Sequence, residues 1–415
     1  MPLNDLSLPD RIARQRPGWS LERAFYTSPE IYHFERRTWL AEQWYVLGHS
    51  CEVPGPGDYI VRHLLGESLI VVRDGSGMLH GFFNVCRHRG SRICDGDGHA
   101  PGRLTCPYHA WSYRLDGTLR TAAALPDGID RSRLGLHRVP IEERGGLIFG
   151  SLKGDPGSLE PLRESVLPML QYYGIPEARI AARRNYLTHG NWKLVIENFI
   201  ECYHCITCHP EFCSVMRFVD VVARKPTPQI AEQWKQAVER WFREQADPDC
   251  PVKQVQANPL EQISTFGVMR GPIGENYETQ SQDGRPVAPL MGKQRRFDGG
   301  SCGFRMEPFI YFTALNDHAV MFQFLPIETD STDVIITWLV DGSAPEDEVD
   351  IERMVWLWDV TTKQDKVIIE RNAAGVRSLS YSPGPYSELE SWPTRFVARY
   401  LLELGTRYSG LDVRA

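Results

Sequence analysis

The sequence predicts an α+β protein of two domains, a small antiparallel β domain followed by a larger domain of helices and strands. Three observations predict it. The chain has 415 residues, more than one compact core usually holds. From about Trp44 to Leu152 the texture is short β-type runs, DYIVRHLL, ESLIVVRD and GLIFGSL, broken by Gly and Pro. Beyond the linker-like KGDPGSLE, helical periodicities alternate with the strand-like runs FRMEPFIYFTAL, AVMFQFLPI and DVIITWLVDG.

Taken in order, residues 1–43 form an N-terminal segment expected to pack on the larger domain. Within it, roughly Pro29 to Gln43 reads as a helix because Ile31, Phe34, Trp39 and Leu40 recur at near-helical spacing. Residues 44–153 are the β domain. In it, Gly75-Ser-Gly77 with Gly81 beyond imitates a nucleotide fingerprint, but the spacing is wrong and another strand comes next, so a hairpin turn is expected. No flavin or nicotinamide site is visible. Residues 154–415 form the second domain, opening with the helical LRESVLPMLQYYG. Ile230 to Gln245 places Ile230, Trp234, Ala237, Val238, Trp241 and Phe242 on one helical face. The polar, Gly- and Pro-rich stretch 247–300 is expected as a surface excursion that could serve as a lid, and a long helix is expected from about Glu346 to Ala374.

Composition excludes several classes of function. The net charge of -7 is mild and the basic residues are scattered, against a nucleic-acid surface and without reason for an anionic membrane partner. No run approaches the ~18 to 20 apolar residues that a spanning helix needs. The opening MPLNDLSLPDRIARQRPGW has neither an apolar core behind a basic tip nor a small-residue cleavage site, so a cytoplasmic location is expected. Ten cysteines, clustered beside histidines, suit metal ligands or reduced thiols better than a disulfide framework.

Two motifs carry chemistry. Cys86-Arg-His88 and Cys106-Pro-Tyr-His109 are two short loops that each offer a thiolate and an imidazole. Two Cys and two His can hold a [2Fe-2S] cluster with the cysteines on one iron and the histidines on the other, a one-electron relay of raised potential; tetrahedral zinc would use the same donors. Further along the chain, Glu201, His204 and His209 form E-x-x-H-x4-H inside ENFIECYHCITCHPEFC. Glu201 and His204 would share a helical face, with a kink or helix end before His209. Two histidines and a carboxylate make a facial triad that leaves positions open on ferrous iron. On the residues alone Asp359, Asp365 and Glu370 of the late helix all compete for the carboxylate. Cys202, Cys205, Cys208 and Cys213 read as reduced thiols of the core or pocket wall.

CRHRGSRIC with CPYHAWSY after it resembles a Rieske domain, and NWKLVIENFIECYHCITCHP resembles the catalytic motif of the Rieske non-haem iron oxygenases. The resemblance spans nearly the whole chain. It implies a Rieske [2Fe-2S] domain leading into a helix-grip catalytic domain, with the cluster on Cys86, His88, Cys106 and His109 and shielded by Trp111 and Tyr113. It makes His204 and His209 ligands of a mononuclear Fe(II) and Glu201 a bridge from an iron-bound histidine to a Rieske histidine of the neighbouring subunit. TTKQDKVIIERNAAGVRSLSYSPGPYSELE matches the region of the third ligand, which selects Asp365. Two departures stand out: the bridging acid is Glu where Asp is commoner, and the spacing from Asn198 to Glu201 is one residue tighter than in many ring-hydroxylating members.

ECYHC and the HPE beyond it resemble the branch acting on quaternary ammonium compounds. The resemblance implies an oxygenase component fed from NAD(P)H through a separate flavin and iron-sulfur reductase, consuming O2 and assembled as a homotrimer so that electrons cross between subunits. The implied reaction is hydroxylation of an N-methyl group of a substrate such as proline betaine or glycine betaine, with formaldehyde released. A ring-hydroxylating dioxygenase alpha subunit of the same architecture is the alternative. A permanent cation is held by aromatic faces, worth ~0.5 to 2 kcal/mol per ring. Candidate walls are Phe304, Phe309, Tyr311, Phe322 and Phe324, of which strand alternation lets about half face a pocket.

Overall fold

The computed structural model describes residues 6–252 and 266–412. The chain forms two compact units, one from Leu40 to Leu159 and the other made of the residues up to Trp39 together with those from Glu160 onward.

The first unit is built of antiparallel strands. Tyr45–His49 pairs with Leu147–Gly150, which pairs with Ile141–Arg144. A five-stranded sheet runs in the order Gly98–His99, Asp58–Leu64, Glu67–Arg73, Leu79–Phe83 and Arg138–Val139. A third sheet joins Leu104–Thr105, Ser112–Tyr113 and Leu119–Thr121. The turn at Gly75 to Gly77 is a hairpin: the Asp74 carboxylate accepts from the backbone of Ser76 and Met78, and Gly77 takes a φ of +88° that a side chain would resist. Ile70, Val72, Phe82 and Leu136 pack with Cys86 and Cys106 in one core, so the thiols sit at its edge among apolar groups.

In the second unit, helix α1 (Pro29–Thr38) begins at the Ser28 cap, with Pro at its first position. It is shorter than the periodicity suggested, because a separate turn, Leu40–Glu42, comes after Trp39. The sheet has six strands: β1 (Ala178–Thr188), β2 (Phe266–Pro272), β3 (Gly300–Met306), β4 (Ile310–Ala314), β5 (Ala319–Glu328) and β6 (Ser331–Asp341). Their order is β1-β6-β5-β4-β3-β2, each neighbouring pair antiparallel. Helices α2 (Trp192–Phe199), α3 (Cys205–Cys208), α4 (Pro210–Val215), α5 (Ile351–Val376) and α6 (Ser391–Asp412) complete the frame that positions the site. α2 lies on β5 and α5 on β1. Of the expected face between Ile230 and Gln245, Val238 and Trp241 are buried in the helix Pro228–Glu244, whereas Ile230 is exposed. Among the described residues no helix is long and apolar enough to cross a membrane.

The described parts of the stretch 247–300 do not behave as the surface excursion that its polarity suggested. Residues 266–272 form the edge strand β2, and the irregular coil after it runs inward, with Thr279, Gln280 and Ser281 all buried. Its polar side chains serve the coil: Thr279 donates to Asp317 at 2.6 Å and Ser281 to the Arg285 carbonyl at 2.7 Å, satisfying groups that no ladder reaches. The portion 253–265 of that expected excursion lies outside the described residues.

One buried ion pair ties the N-terminal segment to the core of this unit. Glu35 of α1 and Lys193 of α2 are both 0% exposed and 2.8 Å apart. Glu35 also accepts from Trp192 at 2.9 Å and from Tyr400 of α6 at 2.5 Å. Glu35→Ala leaves the Lys193 ammonium buried without its counter-charge, and should cost about 3–5 kcal/mol. The urea midpoint should fall with the slope unchanged.

Candidate metal centres

The two Cys–His loops of the first unit are copies of one another. In the first, Cys86 N–H donates to the Ser91 carbonyl at 2.8 Å and Gly90 N–H to the Cys86 carbonyl at 3.0 Å. In the second, Cys106 N–H donates to the Trp111 carbonyl at 2.8 Å and Ala110 N–H to the Cys106 carbonyl at 3.1 Å. Each knuckle closes on a left-handed residue four positions after its cysteine, Gly90 at φ +79° and Ala110 at φ +57°. The thiols point inward, Cys86 3% and Cys106 2% exposed, while His88 and His109 are exposed and meet edge to face at 4.6 Å. A buried thiol pair beside an outer imidazole pair fits a two-iron cluster bound by cysteines on its inner iron and histidines on its outer one. Trp111 stacks on His88 at 4.8 Å, and the Tyr113 hydroxyl lies 3.2 Å from Cys86 Sγ while accepting from Arg87 N–H at 3.0 Å. Both aromatic residues therefore touch donors of this group.

The second group forms where α2 ends. Its last helical residue is Phe199, so Glu201 and His204 sit in the next turn and do not share a helical face; the Glu201 carboxylate folds back onto Tyr203 and His204 N–H instead. α3 ends at Cys208, the φ of -127° at His209 breaks the helix, and Pro210 starts α4 at the position where a missing N–H costs nothing. Asp365 comes from the middle of α5. The ligand atoms of His204, His209 and Asp365 all lie within 4.8 Å of one another. His204 Nε2 and His209 Nε2 are 3.1 Å apart, and Asp365 Oδ1 is 2.9 Å from His209 Nε2 and 3.3 Å from His204 Nε2.

These spacings suit a metal ion. Ligands about 2.1 Å from a metal and at right angles to each other are about 3.0 Å apart, against about 3.4 Å for a tetrahedron. The outer nitrogens supply a second argument. His209 Nδ1 faces the Gln364 carbonyl oxygen at 2.8 Å, and Gln364 in turn donates to Glu211 at 2.8 Å. His204 Nδ1 lies 2.5 Å from Glu201 Oε1. With each Nδ1–H given to an oxygen, both Nε2 lone pairs face the Asp365 carboxylate, an arrangement of acceptors that calls for a cation. The same call for a cation shows in the His204 imidazolium: burial pushes it down, but the hydrogen bonds to Asp365 and Glu201 outweigh it and carry the group up to about 10, a proton on Nε2 standing where a metal ion would otherwise bind. Burial likewise opposes the Asp365 carboxylate, and the two histidines outweigh it and hold it below the usual range.

The competing acids of α5 are engaged elsewhere. Asp359 accepts from Tyr186 at 2.6 Å and from Lys363 at 2.7 Å, and Glu370 from His189 N–H at 3.0 Å and from Lys366 at 2.6 Å. The cysteines of the motif are free thiols; Cys205 is buried, and its hydrogen bond with Cys202 together with burial pushes its thiol up.

The five aromatic candidates divide by strand parity. Tyr311, Phe322 and Phe324 lie on the helix-facing side, all against Phe199 at 5.0, 5.2 and 4.6 Å. Phe304 does not: it faces the other side of the sheet, against Tyr173 and Phe312. Phe309 shares the helix-facing side but is drawn to Trp192 at 5.5 Å, within the core. Three aromatics absent from the sequence expectation take their place. Trp358 meets Phe322 at 4.7 Å and Phe212 at 5.4 Å, Phe212 reaches His209 at 6.4 Å, and Phe199 anchors the row. Trp358 has a helical seven-residue offset from Asp365, and Phe212 a three-residue offset from His209, signals that could have found them.

A paired Cys–His β unit and a two-histidine, one-carboxylate group on a separate α+β unit define a class, the two-centre iron oxygenases. Residues 43–132 match the Rieske [2Fe-2S] domain and residues 176–402 the catalytic domain of the ring hydroxylating alpha subunits. The chain belongs to the Rieske non-haem iron oxygenases, as an alpha, or oxygenase, subunit. It is 35% identical over 381 residues to the glycine betaine monooxygenase oxygenase subunit of Chromohalobacter salexigens, covering 91% of this chain and 84% of that one. The carnitine monooxygenase oxygenase subunit of Acinetobacter baumannii is 34% identical over 209 residues, 49% of this chain and 56% of that one. Among solved structures, a quaternary ammonium Rieske monooxygenase superposes with a TM-score of 0.70 at 22% identity, over 95% of this chain and 98% of that one. Naphthalene 1,2-dioxygenase from Rhodococcus gives 0.67 at 18% identity, over 96% and 97%. These two likenesses show the fold.

Proposed function

We propose that the chain is the oxygenase component of a monooxygenase that removes an N-methyl group from a quaternary ammonium compound such as glycine betaine or proline betaine. It would work as a homotrimer in the cytoplasm, with electrons delivered from NAD(P)H by a separate flavin and iron-sulfur reductase. The observation that carries this reading is the aromatic row of Phe199, Phe322, Trp358 and Phe212, which ends at His209. A methylated ammonium cannot accept or donate an ordinary hydrogen bond at nitrogen, and ring faces next to the metal group are what can hold it. The extended similarity to a glycine betaine monooxygenase oxygenase subunit supports the same substrate class.

Cys86, His88, Cys106 and His109 would hold the cluster, and His204, His209 and Asp365 the iron. When bound, the cluster supplies single electrons and the iron supplies oxygen activation. Gln364 and Glu211 fix the His209 tautomer and ring angle; Glu201 does the same for His204 and is proposed to continue to a Rieske histidine of the neighbouring subunit. The aromatic row orients an N-methyl carbon toward the metal group and excludes water from it. Hydroxylation of that carbon yields an N-hydroxymethyl product, which separates into formaldehyde and the demethylated amine.

The test is formaldehyde release with reductase and NADH across a panel of glycine betaine, proline betaine, carnitine, choline and simple aromatics. Release from a betaine in step with NADH consumption is expected. NADH oxidation without formaldehyde from every methylated ammonium would overturn the reading, and a dihydrodiol from a flat aromatic would put the ring-hydroxylating reading in its place.

A further inference from the structure

A cavity of about 410 Å3 lies against His204 and Glu201, and its wall carries an acid that neither metal centre uses, Glu197. Glu197 sits on α2, four positions before Glu201. The Tyr26 hydroxyl lies 2.9 and 3.1 Å from its two oxygens, and the Tyr386 hydroxyl donates to Oε2 at 2.9 Å. Tyr26 comes from the short helix Arg23–Thr27 and Tyr386 from the coil between α5 and α6, so three separate segments converge on this one carboxyl. Behind the phenols, Tyr26 oxygen accepts from Leu21 N–H at 3.2 Å, and the Tyr381 hydroxyl donates to the Leu21 carbonyl at 2.8 Å. Toward the metal group, Asn198 lines the same cavity and stands 3.5 Å from His204 Nε2.

We propose that Glu197, held by Tyr26 and Tyr386, is the proton store of the oxygenase site, releasing a proton into the cavity it shares with His204. The inference rests on the monooxygenase reading, because that reaction consumes protons. One atom of O2 enters the C–H bond, the other leaves as water, and two electrons and two protons are taken up; the reductase supplies the electrons. Glu197 gives one proton toward the oxygen atom that departs as water, is reprotonated from solvent through the cavity, and gives the second by the same route.

A store must hold its proton near neutral pH. Burial pushes the Glu197 carboxyl up; the hydrogen bonds from Tyr26 and Tyr386 and the Lys193 charge pull against it, Glu390 adds to the rise, and the balance lies at about 7. The groups facing it are Tyr26 and Tyr386, which bond to it, Tyr381 beyond them, Tyr400 of α6, Glu390 from the coil before α6, and Lys193 on its own helix, already engaged by Glu35. Below about 7 the acid form dominates and the store is full; above it the carboxylate dominates and the store empties.

A purely structural pin would serve as well with an amide, so Glu197→Gln separates the two roles. In the holoenzyme, infrared difference spectra taken across neutral pH should show a protonated-carboxyl band that titrates near pH 7 and is absent from Glu197→Gln. The variant should retain its iron and its cluster spectrum, lose roughly a hundredfold in kcat, and lose the fall in rate above neutral pH. Tyr386→Phe removes a donor that stabilises the carboxylate, so the band's midpoint should rise; this variant decides the matter if Glu197→Gln does not fold. Absence of the band from the wild type, its persistence in Glu197→Gln, an unmoved midpoint in Tyr386→Phe, or a wild-type rate and pH profile in Glu197→Gln would overturn the proposal. The band is read without any methylated substrate, so failure to demethylate betaines overturns the function and leaves the band to decide this inference.

Discussion

Glu201→Gln should keep both metal centres and lose turnover by roughly a hundredfold or more, in line with the strong effects of removing the partner of a ligating histidine. The amide has the same length, and its oxygen can still accept from His204 Nδ1–H, now 2.5 Å from Glu201 Oε1. What disappears is the negative charge between His204 and whatever lies beyond, together with the second oxygen, which accepts from Tyr203 and His204 N–H. Iron content and the cluster spectrum should match the wild type. A chemically reduced cluster should then reoxidise slowly when substrate and oxygen are added, which places the defect in transfer between centres. Normal turnover in this variant would remove Glu201 from the electron path and leave it a local prop for His204.

Asp365→Ala should abolish activity altogether while sparing the colour of the protein. With the carboxylate gone, two neutral imidazoles 3.1 Å apart are left to hold a divalent ion, and iron should drop from about three to about two per chain. The comparison that gives this result meaning is Asp359→Asn. Asp359 is tied to Tyr186 and Lys363, away from the histidines, so that variant should retain all its iron. Loss of the mononuclear iron from Asp359→Asn and its retention in Asp365→Ala would reverse the assignment of the third ligand.

The β unit and its loops were legible in the sequence because their signals are local. Each Cys–His pair spans a few residues, and the strands between them alternate clearly. The meeting of His204, His209 and Asp365 in the second unit was legible, the histidines from their motif and Asp365 through resemblance. It was not legible for Gln364, Glu211 or Trp358, whose roles exist only once α5 is laid beside α4. Strand β1 escaped notice because ARIAARRNYLT carries four charged or amide side chains along an edge exposed to water. The coil after β2 misled for the opposite reason: Thr279, Gln280 and Ser281 are buried yet polar, bonding to the Asp317 carboxylate, the Trp358 indole N–H and the Arg285 carbonyl, and composition alone reads such residues as surface. Parity along a strand, invisible without register, decided that Tyr311 and Phe322 face α2 and that Phe304 does not.

Glu35 and Tyr400 touch across 365 positions of chain, and in sequence the whole β unit comes between α1 and the rest of the unit that α1 belongs to. During synthesis the β unit can mature as soon as it emerges, whereas α1 must wait for nearly the last residues before its acidic side chain finds its phenol. Contacts this distant in sequence are slow to close and leave apolar surface exposed meanwhile. Chains interrupted before Ser391 should therefore accumulate with a finished front module and an unfinished rear one, and would be expected to depend on chaperones more than their size alone suggests.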